Sequence, residues 1–125
     1  MTKTAIVIFS DPTAGSEESL GRLFNALFLT YDLKERGQEV ALIFQGAGTR
    51  WAAELIKAEH PAGPLFRAVQ DRVAGVCGGC ADVFGTAEEA KATGLPMGRD
   101  LQIPGVGGVI SLGDYLAKGY GLVTF

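Results

Sequence analysis

The sequence is short of the residues that metal and nucleotide sites commonly require. It contains two cysteines and one histidine, whereas a structural zinc site needs four ligands. A metal site would therefore need carboxylates or ligands from another subunit. The sequence also lacks the G-x-G-x-x-G fingerprint and the Gly-Lys-Ser/Thr element of a P-loop, so neither of these nucleotide-binding motifs is present.

Basic blocks and long apolar runs are missing as well. Eleven basic and 14 acidic residues give a formal net charge of -3, and no cluster of Lys or Arg offers a surface that would follow phosphates. The first apolar run, residues 5–9, is too short for a signal-peptide core or a membrane span. We therefore expect a cytoplasmic protein with no nucleic-acid partner, no membrane association and no cofactor.

Length and composition predict a single domain over residues 1–125. Its apolar fraction of 47% is ordinary for a globular protein. Strand-like runs alternate with helix-like periodicities, as in βα units that build a parallel sheet. We predict an α/β three-layer sandwich with a mostly parallel sheet of about five strands and helices on both faces.

The apolar patterns also predict where the elements lie. The predicted strands cover residues 5–9, 39–44, 73–76, 101–103 and 120–125. A long helix precedes Gly37, a second helix has Thr49 as its N-cap and is broken at His60-Pro61, and a compact helix covers residues 87–92. Val109, Leu112 and Leu116 predict a last helix that ends near Gly119.

Both cysteines lie in one short segment, Cys77-Gly78-Gly79-Cys80, where an apolar run gives way to a predicted helix. A thiol at such a junction meets unpaired N–H groups and the positive end of the helix dipole, an environment that favours the thiolate. The glycines keep side-chain bulk away from the sulfurs. The segment therefore predicts sulfur transfer or disulfide attack by one thiolate, a reversible disulfide, or half of a metal site. Inert packing in a tight turn is the fourth interpretation.

Polar residues follow the other predicted strands. Ser10 and Asp11 come after the first strand and Gln45 after the second. Carboxyl ends of parallel strands meet at one edge of a sheet, so we expect these residues to line a cleft with Gly78 and Gly79. Asp82 is predicted in the first helical turn, where it complements the helix dipole or accepts a proton during transfer.

The run from Cys77 to Gly85 resembles the cysteine-bearing segment of the DsrE/DsrF-like family, and residues 107–125 resemble the closing helix and strand of that family. The resemblance extends over nearly the whole chain. It implies a compact α/β sandwich, assembly into trimers or hexamers, and a cysteine that carries persulfide sulfur in sulfur oxidation or tRNA thiolation. Matched to the Cys-Ala-x-x-Phe-Gly segment, Cys80 is the expected carrier, with Cys77 as the resolving or assisting thiol.

The resulting hypothesis is a homo-oligomeric sulfur carrier of the sulfurtransferase type, served by a protein that donates or accepts sulfur. The paired cysteines are more similar to the stand-alone members of the family. The alternative is a non-catalytic oligomeric module that binds a small ligand or a metal at the strand ends.

Overall fold

The computed structural model describes residues 2–125. Its strands are β1 (Lys3–Ile8), β2 (Glu39–Phe44), β3 (Val73–Cys77), β4 (Met97–Gly98), β5 (Leu101–Ile103), β6 (Gly107–Val109) and β7 (Gly121–Thr124). Its α-helices are α1 (Glu17–Glu35), α2 (Trp51–Leu55), α3 (Gly63–Val69), α4 (Gly78–Val83), α5 (Ala87–Ala92) and α6 (Leu112–Ala117). Short 3₁₀ turns cover Pro12–Ala14, Gly46–Arg50 and Gln70–Arg72. Within this described part of the chain, no helix is both long enough and apolar enough to cross a membrane.

Five strands form one parallel sheet in the order β4-β3-β2-β1-β7. Strands β5 and β6 pair separately as an antiparallel hairpin. The inner strands β1 and β2 carry continuous apolar runs because both of their faces are covered. The predicted α/β sandwich with a parallel sheet of about five strands is confirmed.

The two faces of the sheet bury cores of unequal size. The larger core holds Phe44 and Phe66 together with side chains of α1, α2, α3 and α5. The smaller core holds Ile43 and Cys77 with Val109, and α6 packs against it through Leu112. Helices from successive crossovers lie on the first face while the chain moves from β1 to β4. The connection from β4 to β7 crosses the sheet in the opposite direction. A right-handed crossover therefore places α6, which belongs to this connection, on the second face.

The fourth strand of the main sheet was not predicted. The strand predicted at residues 101–103 does form, but it is not part of the main sheet. Met97–Gly98 pairs with β3, whereas Leu101–Ile103 pairs with Gly107–Val109 outside the main sheet. A two-residue strand has no periodicity that a sequence pattern could show. Gly105, Gly107 and Gly108 lie in the turn and the second strand of this hairpin, and Val109 ends that strand. The last helix therefore begins at Leu112, later than predicted.

The second helix also differs from its prediction. A 3₁₀ turn occupies Gly46–Arg50, and α2 begins only at Trp51. The Thr49 hydroxyl donates to the Gly46 carbonyl at 2.8 Å instead of capping the helix. Helix α2 ends at Leu55, well before the proline that was expected to stop it.

The 3₁₀ turn after β2 lies unusually close to the end of β1. A Cβ atom on Gly48 would stand 2.0 Å from the carbonyl oxygen of Ile8 and 2.7 Å from its carbonyl carbon. Both atoms belong to the backbone of a buried strand, so they have little room to move. The turn therefore depends on glycine at this position.

We predict that Gly48→Ala lowers the free energy of unfolding by about 1–3 kcal/mol or more, because the new methyl group overlaps the β1 backbone. Gly21→Ala is the matched control. A Cβ there meets nothing within 4 Å, so the interior of α1 should gain about 1 kcal/mol. Urea unfolding of both variants measures the two signs, and an unchanged Gly48→Ala variant would contradict the close approach.

Candidate functional site

Cys77 ends β3 and forms the N-cap of α4. Its backbone is extended, with φ -65° and ψ 117°, and its Sγ accepts a hydrogen bond from the Cys80 N–H at 3.4 Å. Cys80 is the third residue of the helix. The strand-to-helix junction predicted from the sequence is therefore where the two thiols meet.

The two thiols differ in accessibility. Cys77 is fully buried within the smaller core, whereas Cys80 is half-buried and packs against the edge of that core. Both cysteines are free thiols. Of the two thiols, only Cys80 is exposed enough to meet a reactant from outside.

The electrostatic environment of Cys80 opposes ionisation. Burial, followed by a hydrogen bond with the Cys77 thiol, raises the pKa of Cys80 from 9.0 to about 11. A hydrogen bond from the Gly46 backbone acts in the opposite direction but is weaker. The expectation that the junction favours the thiolate is therefore wrong. Helix α4 has six residues, and its terminal N–H groups do not compensate for the desolvation of the sulfur.

The glycines between the cysteines make room for neighbouring chain segments. A Cβ on Gly78 would stand 2.5 Å from Cγ of Arg99, and a Cβ on Gly79 would stand 2.7 Å from Cγ1 of Val109 and 2.9 Å from the Gly108 carbonyl oxygen. The Arg99 side chain and the β5–β6 hairpin thus close over the start of α4. This contact explains why the segment carries two small residues and why its sulfurs are covered.

Asp82 is placed differently from its prediction. Helix α4 starts at Gly78, so Asp82 is its fifth residue and does not lie in the first turn. Its two carboxylate oxygens accept hydrogen bonds from Arg99 at 2.8 Å and 3.2 Å, and Arg99 holds the pKa of Asp82 below its usual value. The pair anchors the arginine beside the cysteine turn.

Ser10 and Asp11 lie in the loop after β1, where both accept hydrogen bonds from other residues of the chain. Asp11 caps the 3₁₀ turn that follows it and accepts a hydrogen bond from Arg50 at 2.9 Å. These contacts hold the pKa of Asp11 below its usual value against the effect of burial. The Ser10 carbonyl accepts a hydrogen bond from the Trp51 indole N–H at 2.8 Å.

Gln45 lies at the end of β2 and has a different character. It is 8% exposed, and its Oε1 atom has no hydrogen-bond partner among residues 2–125. Buried side-chain carbonyls are normally paired. This residue is therefore the polar group at the strand ends that the chain leaves unsatisfied.

A cleft of about 560 Å³ lies apart from the cysteines, between Arg50, Trp51, His60 and the turn at Phe84. His60 uses its Nδ1 atom to accept a hydrogen bond from the Ala62 N–H. No group of three or more His, Cys, Asp or Glu residues suited to a metal ion exists in the described chain, residues 2–125. Among these residues, the fold therefore brings no cluster of further metal ligands to the cysteine pair.

The sequence places Gly46 at the same sheet edge as the cysteine turn but does not predict its contact with Cys80, and it gives no indication of Arg99. Gly46 supplies a backbone hydrogen bond to Cys80, and Arg99 covers Gly78. Gly46 has a positive φ of 56°, which favours glycine, but a glycine after a strand signals only a turn. Arg99 follows a strand too short to detect from its sequence.

A parallel α/β sandwich with a free thiol pair at the end of its third strand defines a small protein suited to thiol chemistry. The chain belongs to the DsrE/DsrF-like family, whose model matches residues 3–125. It is 33% identical over 121 residues to the uncharacterized protein MJ0733 of Methanocaldococcus jannaschii, an alignment that covers 97% of this chain and 93% of that protein.

Two solved structures share the fold. A conserved protein of unknown function, BT1422 from Bacteroides thetaiotaomicron, superposes with a TM-score of 0.62 at 16% identity, covering 98% of this chain and 95% of that chain. The ychN protein from E. coli gives a TM-score of 0.58 at 21% identity, with full coverage of both chains. These likenesses support the sandwich and its topology.

We predict that the alkylation rate of Cys80 by iodoacetamide rises about tenfold for each pH unit from about pH 7 to about pH 10, because its ionised fraction is still increasing below a pKa of about 11. Peptide mass spectrometry measures the rate. Folded Cys80→Ser protein should resist labelling, because the remaining thiol is buried. A plateau near neutral pH would show that the sulfur is ionised after all.

Proposed function

We propose that this protein is a sulfur carrier of the sulfur-relay type in which Cys80 holds sulfane sulfur as a persulfide. Membership of the DsrE/DsrF-like family supports a sulfur-relay role. The observation that carries the proposal is the arrangement of a reachable Cys80 beside a buried free Cys77 at one turn. The thiolate of Cys80 attacks the outer sulfur of a donor persulfide, the donor thiolate leaves, and the outer sulfur stays on Cys80.

The raised pKa of Cys80 makes this exchange slow without preventing it. A rise from 9.0 to about 11 lowers the thiolate fraction at neutral pH about 100-fold. The remaining thiolate is a stronger nucleophile by about tenfold, so the net loss of rate is also about tenfold. Since a thiol of high pKa is a poor leaving group, sulfur bound to Cys80 is also released slowly. These rates suit storage and delivery on contact with a partner.

Cys77 is suited to the role of resolving thiol. Its sulfur accepts a hydrogen bond from the Cys80 N–H, so the two sulfurs share one turn of chain. If the Cys77 thiolate attacks the inner sulfur of the persulfide, a Cys77–Cys80 disulfide forms and hydrosulfide leaves. Cys77 is buried within the smaller core, so no reactant from outside the protein reaches its sulfur.

The proposed assembly is a homo-oligomer, a trimer or a hexamer, that exchanges sulfur with a donor or acceptor protein in the reducing cytoplasm. Large apolar side chains on the surface support contacts between chains. Phe28 and Tyr31 of α1 are 53% and 42% exposed although they continue the apolar spacing of that helix, and Leu101, Ile103 and Val106 of the hairpin are also exposed.

Incubation with inorganic polysulfide should add the mass of sulfur to the wild-type protein, and the addition should disappear in Cys80→Ser. The Cys77→Ser variant is the matched control, and it should keep the added sulfur for longer because the resolving thiol is gone. Intact-mass measurement before and after reduction distinguishes these cases. Equal loading of Cys80→Ser would assign the wrong residue, and no loading of the wild type would remove the proposal.

Light scattering of the purified protein should give a mass three or six times the 13.1 kDa of one chain. The physical reason is the exposed apolar surface of α1 and the hairpin. Tyr31→Lys should lower the average mass if α1 lies at an interface, whereas Glu35→Lys on the same helix serves as a charge control. A strictly monomeric wild type would contradict the proposed assembly.

The alternative is a non-catalytic binding module, and the cleft near Trp51 is the observation that favours it. Its volume of about 560 Å³ suits a small ligand, and Arg50, Trp51 and His60 line it. The metal form of this alternative places the ion at the cysteine pair and not in this cleft, and metal analysis of anaerobically purified protein tests it. Stoichiometric metal that is lost when both cysteines are replaced would favour it over sulfur storage.

A further inference from the structure

The unpaired carbonyl of Gln45 requires a partner that the described chain does not supply. The side chain is 8% exposed and its Oε1 atom accepts no hydrogen bond within residues 2–125. An unpaired buried carbonyl lowers the stability of the folded state. A buried unpaired carbonyl of this kind marks a place where a ligand or an ordered water can donate a hydrogen bond.

The backbone directs Gln45 towards the cysteine side of the sheet. Side chains of a strand alternate between its faces, and Ile43 lies in the smaller core with Cys77 while Phe44 lies in the larger core. Gln45 itself is extended, with φ -131° and ψ 155°, so the alternation continues through it. Gln45 therefore points to the same face as Ile43.

The strand register places Gln45 opposite Cys77. Ile43 is paired with Gly75 and Phe44 with Val76, so one further step along both strands aligns Gln45 with Cys77. Neighbouring strands lie about 4.8 Å apart. The next residue after Gln45 is Gly46, whose backbone hydrogen-bonds to Cys80. The unpaired amide is thus brought beside both sulfurs.

We propose that the Gln45 side-chain carbonyl accepts a hydrogen bond from the terminal S–H of a persulfide on Cys80 and positions it for transfer. This inference rests on the sulfur-carrier function proposed above. The protonated persulfide is the form whose terminal sulfur an acceptor thiolate attacks. In that step the new bond forms between the acceptor sulfur and the terminal sulfur, the S–S bond to Cys80 breaks, and Cys80 leaves as a thiolate that takes a proton from water.

Replacing Gln45 should have a different effect from replacing a residue with a purely structural role. Replacement of a structural residue destabilises the fold, whereas Gln45→Met removes an unpaired buried carbonyl and keeps a similar volume. The variant should therefore be as stable as the wild type or more stable. It should nevertheless pass its sulfur to an acceptor thiol more slowly, by about fivefold, the factor that corresponds to the net contribution of one hydrogen bond.

The experiment loads wild-type protein, Gln45→Met and the control Gln70→Met with inorganic polysulfide, removes the excess, and follows the sulfur adduct by intact mass during incubation with a small thiol. Gln70 is exposed and lies in a 3₁₀ turn away from the cysteines, so its variant should match the wild type. Thermal unfolding of all three proteins reports stability. Gln45→Asn, which withdraws the amide by one methylene, should also pass its sulfur to the small thiol more slowly, and it replaces Gln45→Met if that variant does not fold.

A second readout tests which end of the amide faces the sulfur. Loss of a carbonyl acceptor should move the pH midpoint for alkylation of the persulfide downwards, since the acceptor stabilises the protonated form. An upward shift would overturn the assignment of the carbonyl, and sulfur loss equal to that of the wild type would overturn the inference. Wild-type protein that takes up no sulfur would instead remove the proposed function on which the inference rests.

Discussion

The desolvation of one sulfur atom governs the chemistry that this protein can perform. Cys80 sits under the β5–β6 hairpin and beside the turn after β2, and the loss of water around it raises its pKa to about 11. A hydrogen bond from the Gly46 backbone is too weak an attraction to reverse this effect. The strand-to-helix junction thus positions the thiol and shields it from water, and does not by itself favour its ionised form.

That shelter depends on how closely the backbone segments approach one another. Gly48 allows the turn after β2 to contact the end of β1, and Gly79 allows the hairpin to contact α4. Each approach involves backbone atoms that cannot yield to a side chain. Small residues thus shape the surroundings of the cysteine turn even though they carry no reactive group. Gly79 in particular lets the hairpin pack on α4, the helix that carries Cys80.

The sequence predicts the parts of the fold whose residues repeat a pattern over several turns or strand positions. Strands β1 and β2, helix α1 and the location of the cysteine turn follow from such patterns and were correctly predicted. The two residues of β4 are too few to show a pattern. The second strand of the hairpin is mostly glycine, so it lacks the alternation of apolar side chains that would indicate a strand. The pKa of Cys80 and the unpaired carbonyl of Gln45 depend on contacts between distant segments, so no local pattern indicates them.

The charges around the cysteine turn suit a neutral form of sulfur better than an oxyanion. Arg99 lies beside the turn, but both of its terminal nitrogens donate to Asp82. Arg50, in the neighbouring turn, donates to Asp11 and to the Phe84 carbonyl. An arginine already paired with a carboxylate offers little attraction to a second anion. A thiol or protonated persulfide needs no such cation and is less penalised by burial. The low polarity that disfavours ionisation of Cys80 would therefore also favour the protonated form of the proposed persulfide.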